Sequence, residues 1–212
     1  MRSSAVLFDF DDTIVNTIHV RFEAVKNYGL EKFSKIISDD DLKALWGTPI
    51  NELFTHLFGP DIEIEQVRQE YLKYVTGRYP TKLLPTVRET IEALSRNFHL
   101  GIVTSGGRDI VEMGLESNNL PKSYFHLIHT ADETIYHKPD PRVFDHPLSV
   151  LKEVQVSPSK VTYIGDSLND YHAAKSAGIN FIGVTTGLIP RKKFLQHNIP
   201  SVDNLSQILE LV

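Results

Sequence analysis

The sequence predicts an α/β protein, a Rossmann-like doubly wound parallel sheet core with an α-helical domain inserted into it. Three observations carry this expectation. From Thr86 onward, short apolar runs alternate with segments of helical period, the rhythm of parallel strands joined through crossover helices. A further apolar run, Ala5 to Phe8, stands near the N-terminus and ends abruptly in Asp9, Asp11 and Asp12. Between the two, apolar residues recur at helical spacing with no convincing strand. Residues 1–14 and 81–212 are therefore expected to form the α/β core, and residues 15–80 an inserted helical domain.

Each element has its own signal. Ala5-Val6-Leu7-Phe8 is apolar throughout, as a strand buried on both faces must be. Ile18 to Asn27 and Phe33 to Phe58 read as helical, with breaks expected at Tyr28-Gly29, Gly47-Thr48-Pro49 and Gly59-Pro60. Glu63 to Tyr79 is a charged, aromatic-rich helix, and Thr81 to Pro85 a return linker. In the core, helices are expected at Val87–Asn97, Asp109–Ser117, Pro141–Val154 (interrupted or kinked at Pro147), Asp170–Ala177 and Leu205–Leu211. Strands are expected at Leu100–Thr104, Phe125–His129, Val161–Asp166 and Asn180–Val184. The basic run Arg191-Lys192-Lys193 reads as a solvated helix start.

Composition narrows the function classes. A chain of 212 residues can bury a sizeable core, and a net charge of −5 gives no general attraction to nucleic acid or acidic lipid. With no cysteine, disulfides, thiolate nucleophiles and cysteine-ligated zinc are excluded. No apolar stretch approaches the roughly 18 residues of a membrane span, and the N-terminus lacks a signal-peptide pattern. A soluble, cytoplasmic protein without nucleic-acid or membrane partners is expected.

In doubly wound sheets ligands bind beyond the carboxyl ends of the strands, so the residues that follow each apolar run are informative. They are Asp9 and Asp11 after the first; Thr104, Ser105, Gly106 and Gly107 after the second; and Gly165 to Asp170 after a later one, with His137-Lys138-Pro139 between. Asp9 and Asp11 lie two apart, so a continuing strand would send both from one face, where like charges repel unless a cation compensates them. Magnesium, which favours hard oxygen ligands, is the simplest candidate. An acidic Asx-type turn capped by Asp12-Thr13 is the alternative. Likewise Thr104-Ser105 alone reads as a strand-end turn, Lys138 alone as a surface lysine, and Asp166 or Ser167 as a helix N-cap. His126, His129 and His137 cluster in sequence, but residues three apart on a strand face opposite ways, which argues against zinc.

Taken together, these stretches resemble the four motifs of the haloacid-dehalogenase superfamily, in its phosphatase branch with a helical cap inserted after the first strand, similar to phosphoglycolate phosphatase and pyrophosphatase-like members. DFDDT resembles the first motif, the end of LGIVTS the second, HKPDP the third and GDSLND the fourth. The resemblance implies a magnesium-dependent phosphatase acting on a small phosphate monoester, phosphoglycolate-like, a nucleotide or a sugar phosphate, through an aspartyl-phosphate. Asp9 would be the nucleophile and Asp11 the general acid and base. Thr104, Ser105, Gly106 and Lys138 would bind the phosphoryl group, with Lys138 also holding Asp9. Magnesium would be held by Asp9, the Asp11 backbone carbonyl, Asp166 and Asp170. Asp12 stands where the commonest motif has Gly, and Asp tolerates the backbone angles that a Gly position requires.

The same resemblance orders the alternatives. Dehalogenase members lack the second aspartate, so Asp11 disfavours that reaction, and phosphonate hydrolysis would need a Schiff-base lysine of which Lys26 and Lys43 are unconvincing candidates. A sugar-phosphate mutase, an inorganic pyrophosphatase and a non-catalytic binding module on the same core stay open. Specificity is expected in the cap, where Arg21, Gly47-Thr48-Pro49 and Asn51 are candidates, and at Arg108 beside the second motif. Trp46 reads as cap packing, and cap hinges are expected near Val15–Thr17 and Thr81–Pro85.

Overall fold

A computed structural model describes residues 2–45, 50–75 and 77–212. The elements run β1 (Ala5–Phe8), α1 (Thr17–Phe33), α2 (Asp39–Ala44), α3 (Ile50–Phe58), α4 (Ile64–Val75), α5 (Val87–Ser95), β2 (His99–Val103), α6 (Arg108–Ser117), β3 (Phe125–His129), α7 (Asp145–Glu153), β4 (Val161–Gly165), α8 (Leu168–Ser176), β5 (Asn180–Val184), α9 (Arg191–Gln196) and β6 (Ser201–Val202). They divide into two compact units, residues 1–16 with 82–212, and residues 17–81.

In the first unit six strands form one sheet in the order β3-β2-β1-β4-β5-β6, every neighbouring pair parallel. Parallel neighbours in near register bring the carboxyl ends of β1, β2, β4 and β5 to one edge. The alternation of side chains along β1 supplies both faces: Val6 and Phe8 pack with Ile91, Leu115 and Ile208, whereas Ala5 and Leu7 pack with Phe144, Tyr163 and Phe194. The two chain segments flanking the insertion are clipped together. Asn16 N donates to Lys82 O at 2.9 Å, Lys82 N to Asn16 Oδ1 at 2.7 Å, and Leu84 N to Ile14 O at 3.0 Å.

The second unit has its own core, centred on the wholly buried Tyr28, which meets Tyr71 and Tyr74 edge-on at 5.3 and 5.2 Å between centroids and stacks on Phe54. The break expected at Tyr28-Gly29 does not occur, since α1 runs through it. Gly29 is there for close approach instead: a Cβ would stand 2.6 Å from Ile37 Cδ1 and 3.3 Å from Phe58 Cε1. The helical stretch expected from Phe33 to Phe58 resolves into α2 and α3, because Ser38 and Asp41 form a capping box that starts a new helix. The residues Trp46 and Gly47-Thr48-Pro49 singled out above lie outside the described residues.

Three further expectations are corrected. Pro147 does not interrupt α7; it sits in the first turn, where an amide has no intrahelical acceptor to lose, and Pro141–Phe144 forms a separate 3-10 turn. The closing segment is a 3-10 turn over Leu205–Glu210 rather than an α-helix. The edge strand β6 was not expected, two residues being too few to show a period. No helix among the described residues is long and apolar enough to cross a membrane.

Tyr28→Ala should remove the hub of the second unit's core and cost about 3–5 kcal/mol locally. Hydrogen exchange should accelerate across α1, α3 and α4 while β1, β2 and β4 amides stay protected. Uniform acceleration would show instead that the sheet depends on Tyr28.

Candidate active site

The polar residues that follow the strands gather at the carboxyl edge of the sheet. Asp9 follows β1, and its amide extends the ladder one step by donating to Ile164 O at 2.8 Å. The chain then folds back, with Asp12 N donating to Val15 O at 2.7 Å and Asp12 itself at φ 54°. Asp therefore occupies the left-handed region that it tolerates better than most residues. Because the strand stops at Phe8, the same-face argument for Asp9 and Asp11 does not hold. Asp9 joins Asp166 and Asp170 in a group whose oxygens lie within 4.8 Å of one another. The Asp11 carboxylate instead lies beside Gly106 and Thr104: a Cβ on Gly106 would stand 3.4 Å from Asp11 Oδ2 and 3.5 Å from Thr104 Oγ1.

Lys138 stands inside the carboxylate group with its side chain 6% exposed. Its ammonium lies 2.6 Å from Asp170 Oδ1, 2.9 Å from Asp9 Oδ1 and 2.9 Å from the Tyr163 hydroxyl. The contact with Asp9 is an ion pair whose direction leaves Asp9 Oδ1 buried without an aligned hydrogen bond. Asp170 is tied down on both oxygens. Oδ2 accepts from Ser167 N at 3.0 Å and Ser167 Oγ at 2.5 Å, closing the capping box that starts α8. Ser167 is thus the N-cap, and α8 begins two residues earlier than the sequence suggested.

Two glycines make room for this crowding. A Cβ on Gly165 would meet Asp170 Cγ at 2.6 Å, and one on Gly187 would meet Asp166 Oδ2 at 1.8 Å. Thr186, next to Gly187, donates its hydroxyl to the Asp12 carbonyl and ties the loop after β5 to the turn after β1.

Burial and mutual repulsion dominate the electrostatics of the group. Burial pushes the Asp9 carboxyl up to about 7, Lys138 opposes this, and Asp170 and Asp11 add to the rise. Asp166 is pushed well above the carboxylate range by burial and by Asp170, Asp9 and Asp12. Burial pulls the Lys138 ammonium down, but Asp170 and Asp9 outweigh it and hold the group well above its ordinary value. A hard divalent cation fits what is present: three convergent carboxylates, one of them with a buried oxygen that receives no aligned hydrogen bond.

Other candidate residues are placed less uniformly. Thr104 is buried, with its amide donating to His129 O at 3.0 Å and its hydroxyl accepting from Gly106 N at 3.1 Å; Ser105 is exposed beside it. Arg108, expected to bind substrate, is engaged within the fold, donating to Glu133 Oε1 at 2.6 Å and Ile128 O at 2.8 Å. Arg21 and Asn51 belong to the second unit. There Lys26 pairs with Glu23 and Asp39, which hold its amine protonated and unsuited to Schiff-base chemistry. The histidines do not converge: His126 lies against His99, and His129 against His146. Sequence reasoning missed Tyr163, Thr186 and Gly187. Thr185-Thr186-Gly187 carries the same signal as the other motifs, polar residues and glycine directly after an apolar run, whereas Tyr163 is hidden inside a strand.

The family profile for haloacid dehalogenase-like hydrolases matches residues 6–184. Among curated proteins, the chain is 31% identical to a phosphorylated carbohydrates phosphatase of Thermotoga maritima, over 98% of this chain and 97% of that one. It is 28% identical to the pyrophosphatase PpaX of Anoxybacillus flavithermus, over 87% and 84%. Among solved structures, a Thermotoga maritima protein provisionally assigned as a beta-phosphoglucomutase superposes with a TM-score of 0.81 at 28% identity, over 98% of this chain and 97% of that one.

His129, buried beneath Thr104, is held neutral by burial and by His146, with Arg108 acting in the same direction and Glu133 against it. The unfolded chain takes up this proton near 6.5 while the folded protein resists it, so stability should fall as pH drops below 6.5. His129→Gln should flatten that part of the curve in urea midpoints measured from about pH 7 to about pH 5. An unchanged slope would place the acid sensitivity elsewhere.

Proposed function

This chain belongs to the haloacid dehalogenase-like hydrolase family and is a phosphatase-type enzyme, and from that premise we propose that it hydrolyses a small phosphate monoester through an aspartyl-phosphate on Asp9. The observation that carries the reading is the Asp9 carboxylate, buried at the sheet edge, with Oδ1 2.9 Å from the Lys138 ammonium and short of an aligned hydrogen bond. A carboxylate oxygen without an aligned donor keeps its lone pairs available for attack on phosphorus.

Asp9 attacks phosphorus as the bond to the leaving oxygen breaks, and Asp11 gives its proton to that oxygen. Asp11, now a carboxylate, takes a proton from the water that attacks phosphorus next. The bond to Asp9 then breaks, releasing inorganic phosphate and restoring both side chains. Thr104 and Ser105 supply donors to the phosphoryl oxygens, the Gly106 amide holds the Thr104 hydroxyl, and Lys138 balances charge as it moves from Asp9 to the phosphoryl group. Asp9, the Asp11 backbone carbonyl, Asp166 and Asp170 would hold magnesium, which would supply charge that screens nucleophile from phosphate. Asp170, bound on both oxygens by Lys138 and Ser167, is better placed to orient the group than to lead it.

The relatives named for pyrophosphate and for phosphorylated carbohydrates support small phosphorylated metabolites as substrates. The likeness to a provisionally assigned beta-phosphoglucomutase favours a second reading, transfer of the phosphoryl group back to a sugar instead of to water. Arg21 is assigned to substrate recognition on the sequence argument alone. A cytoplasmic monomer or homodimer completes the proposal.

Release of phosphate from para-nitrophenyl phosphate should require magnesium and be abolished in Asp9→Asn. Asp11→Asn should lower kcat by about 10²–10⁴-fold while the protein stays folded. A panel of phosphoglycolate, pyrophosphate, nucleotides and sugar phosphates should then rank substrates. Folded wild type that releases phosphate from none of them would overturn hydrolysis. Gly187→Ala, which forces Asp166 aside, should weaken magnesium binding by about tenfold or more in calorimetry, and unchanged affinity would remove Asp166 from the metal site.

A further inference from the structure

Tyr163 is the one tyrosine among the buried residues of a cluster otherwise made of aliphatic side chains and phenylalanine. It lies inside β4, opposite Leu7 of β1, with its ring edge-on to Phe144 at 4.9 Å. Its hydroxyl donates to the Val103 carbonyl at 2.7 Å, which uses the single phenolic proton. Toward Lys138, 2.9 Å away, the same oxygen can therefore only accept.

The consequence concerns the direction of the lysine protons. An ammonium has three N–H groups in fixed tetrahedral relation. Asp170 Oδ1 and the Tyr163 hydroxyl take two of them in aligned hydrogen bonds, and the ammonium held this way stands 2.9 Å from Asp9 Oδ1 as an ion pair, with its third N–H not aligned on that oxygen. Lys138 itself is carried by a turn between Ile135 and Asp140, outside any helix or strand. Tyr163 refers that loop-borne charge to the sheet, through the backbone carbonyl of the residue that precedes Thr104.

We propose that Tyr163 is a positioning residue for the reaction, fixing the Lys138 ammonium against Asp9 with its third N–H left for the phosphoryl oxygens. Its hydroxyl is a neutral acceptor, so it orients the cation without cancelling more of its charge. The proposal rests on the phosphatase reading for its kinetic consequence, and on the hydrogen-bond geometry alone for its structural one.

Tyr163→Phe deletes only the hydroxyl. In magnesium-loaded enzyme acting on para-nitrophenyl phosphate, kcat should fall by about 10- to 100-fold with KM within about threefold, since a misdirected charge is felt most in the transition state. In parallel, the ¹⁵Nζ signal of Lys138, assigned by its loss in Lys138→Met, should be sharp in wild type and broaden or vanish in Tyr163→Phe as proton exchange accelerates. Thermal melting checks that the variant is folded. If it is not, 4-aminophenylalanine at position 163, which keeps a donor for Val103 but accepts poorly, takes its place with the same expectations. Wild-type kcat, or an unaltered Lys138 signal, overturns the proposal. Wild type that hydrolyses nothing while the signal still depends on Tyr163 overturns the phosphatase reading and leaves the positioning of Lys138 standing.

Discussion

A single buried ammonium makes the carboxyl edge of this sheet possible. Lys138 sits 2.6 Å from Asp170 and 2.9 Å from Asp9 in a place almost closed to water. Removing such a charge would leave carboxylates uncompensated in a medium that screens them poorly, and a broken buried pair costs about 3–5 kcal/mol. The lysine does not compensate the whole group, because Asp166 and Asp11 stand in the same neighbourhood and repulsion helps to raise Asp9 and Asp166. Fold stability alone gives no reason to assemble that many acids around one base. The proposed reaction, which needs a cation and a phosphoryl group at this edge, does.

The sheet supplies the precision. Parallel strands in register deliver Asp9, Thr104 and Asp166 to one edge, and each is anchored close to where it acts. Asp9 is pinned through its amide, Thr104 through its amide and hydroxyl, and Asp170 through both carboxylate oxygens. Gly165 and Gly187 are spaces as much as residues, since any side chain there would overlap a carboxylate. The same logic places Asp12 at a positive φ, where the turn after β1 needs a residue that tolerates the left-handed region.

Much of this was legible in the sequence, because the strongest signals are local. Ala5 to Phe8 followed by acids, LGIVTS, and the run ending in GDSLND each join a buried strand to its polar end within a few residues. Tyr163 was not legible: a tyrosine inside an apolar strand looks like core, and only tertiary contact brings its hydroxyl to Lys138 across 25 positions. The engagement of Arg108 was hidden for the matching reason, since its carboxylate partner Glu133 lies 25 residues away on another segment. Gly29 shows the same limit in the second unit, where proximity to Ile37 and Phe58 explains a glycine that looks like a helix break.

The central claim is that Asp9 is the nucleophile and Lys138 its counter-charge. Acid-quenched single turnovers with excess enzyme, followed by mass spectrometry of the peptide containing residues 5–17, test it most directly. One added phosphoryl group should be found on Asp9, forming and decaying within the turnover. Release of phosphate at full rate with no phosphoryl group ever found on Asp9 would contradict it and point to direct attack by water.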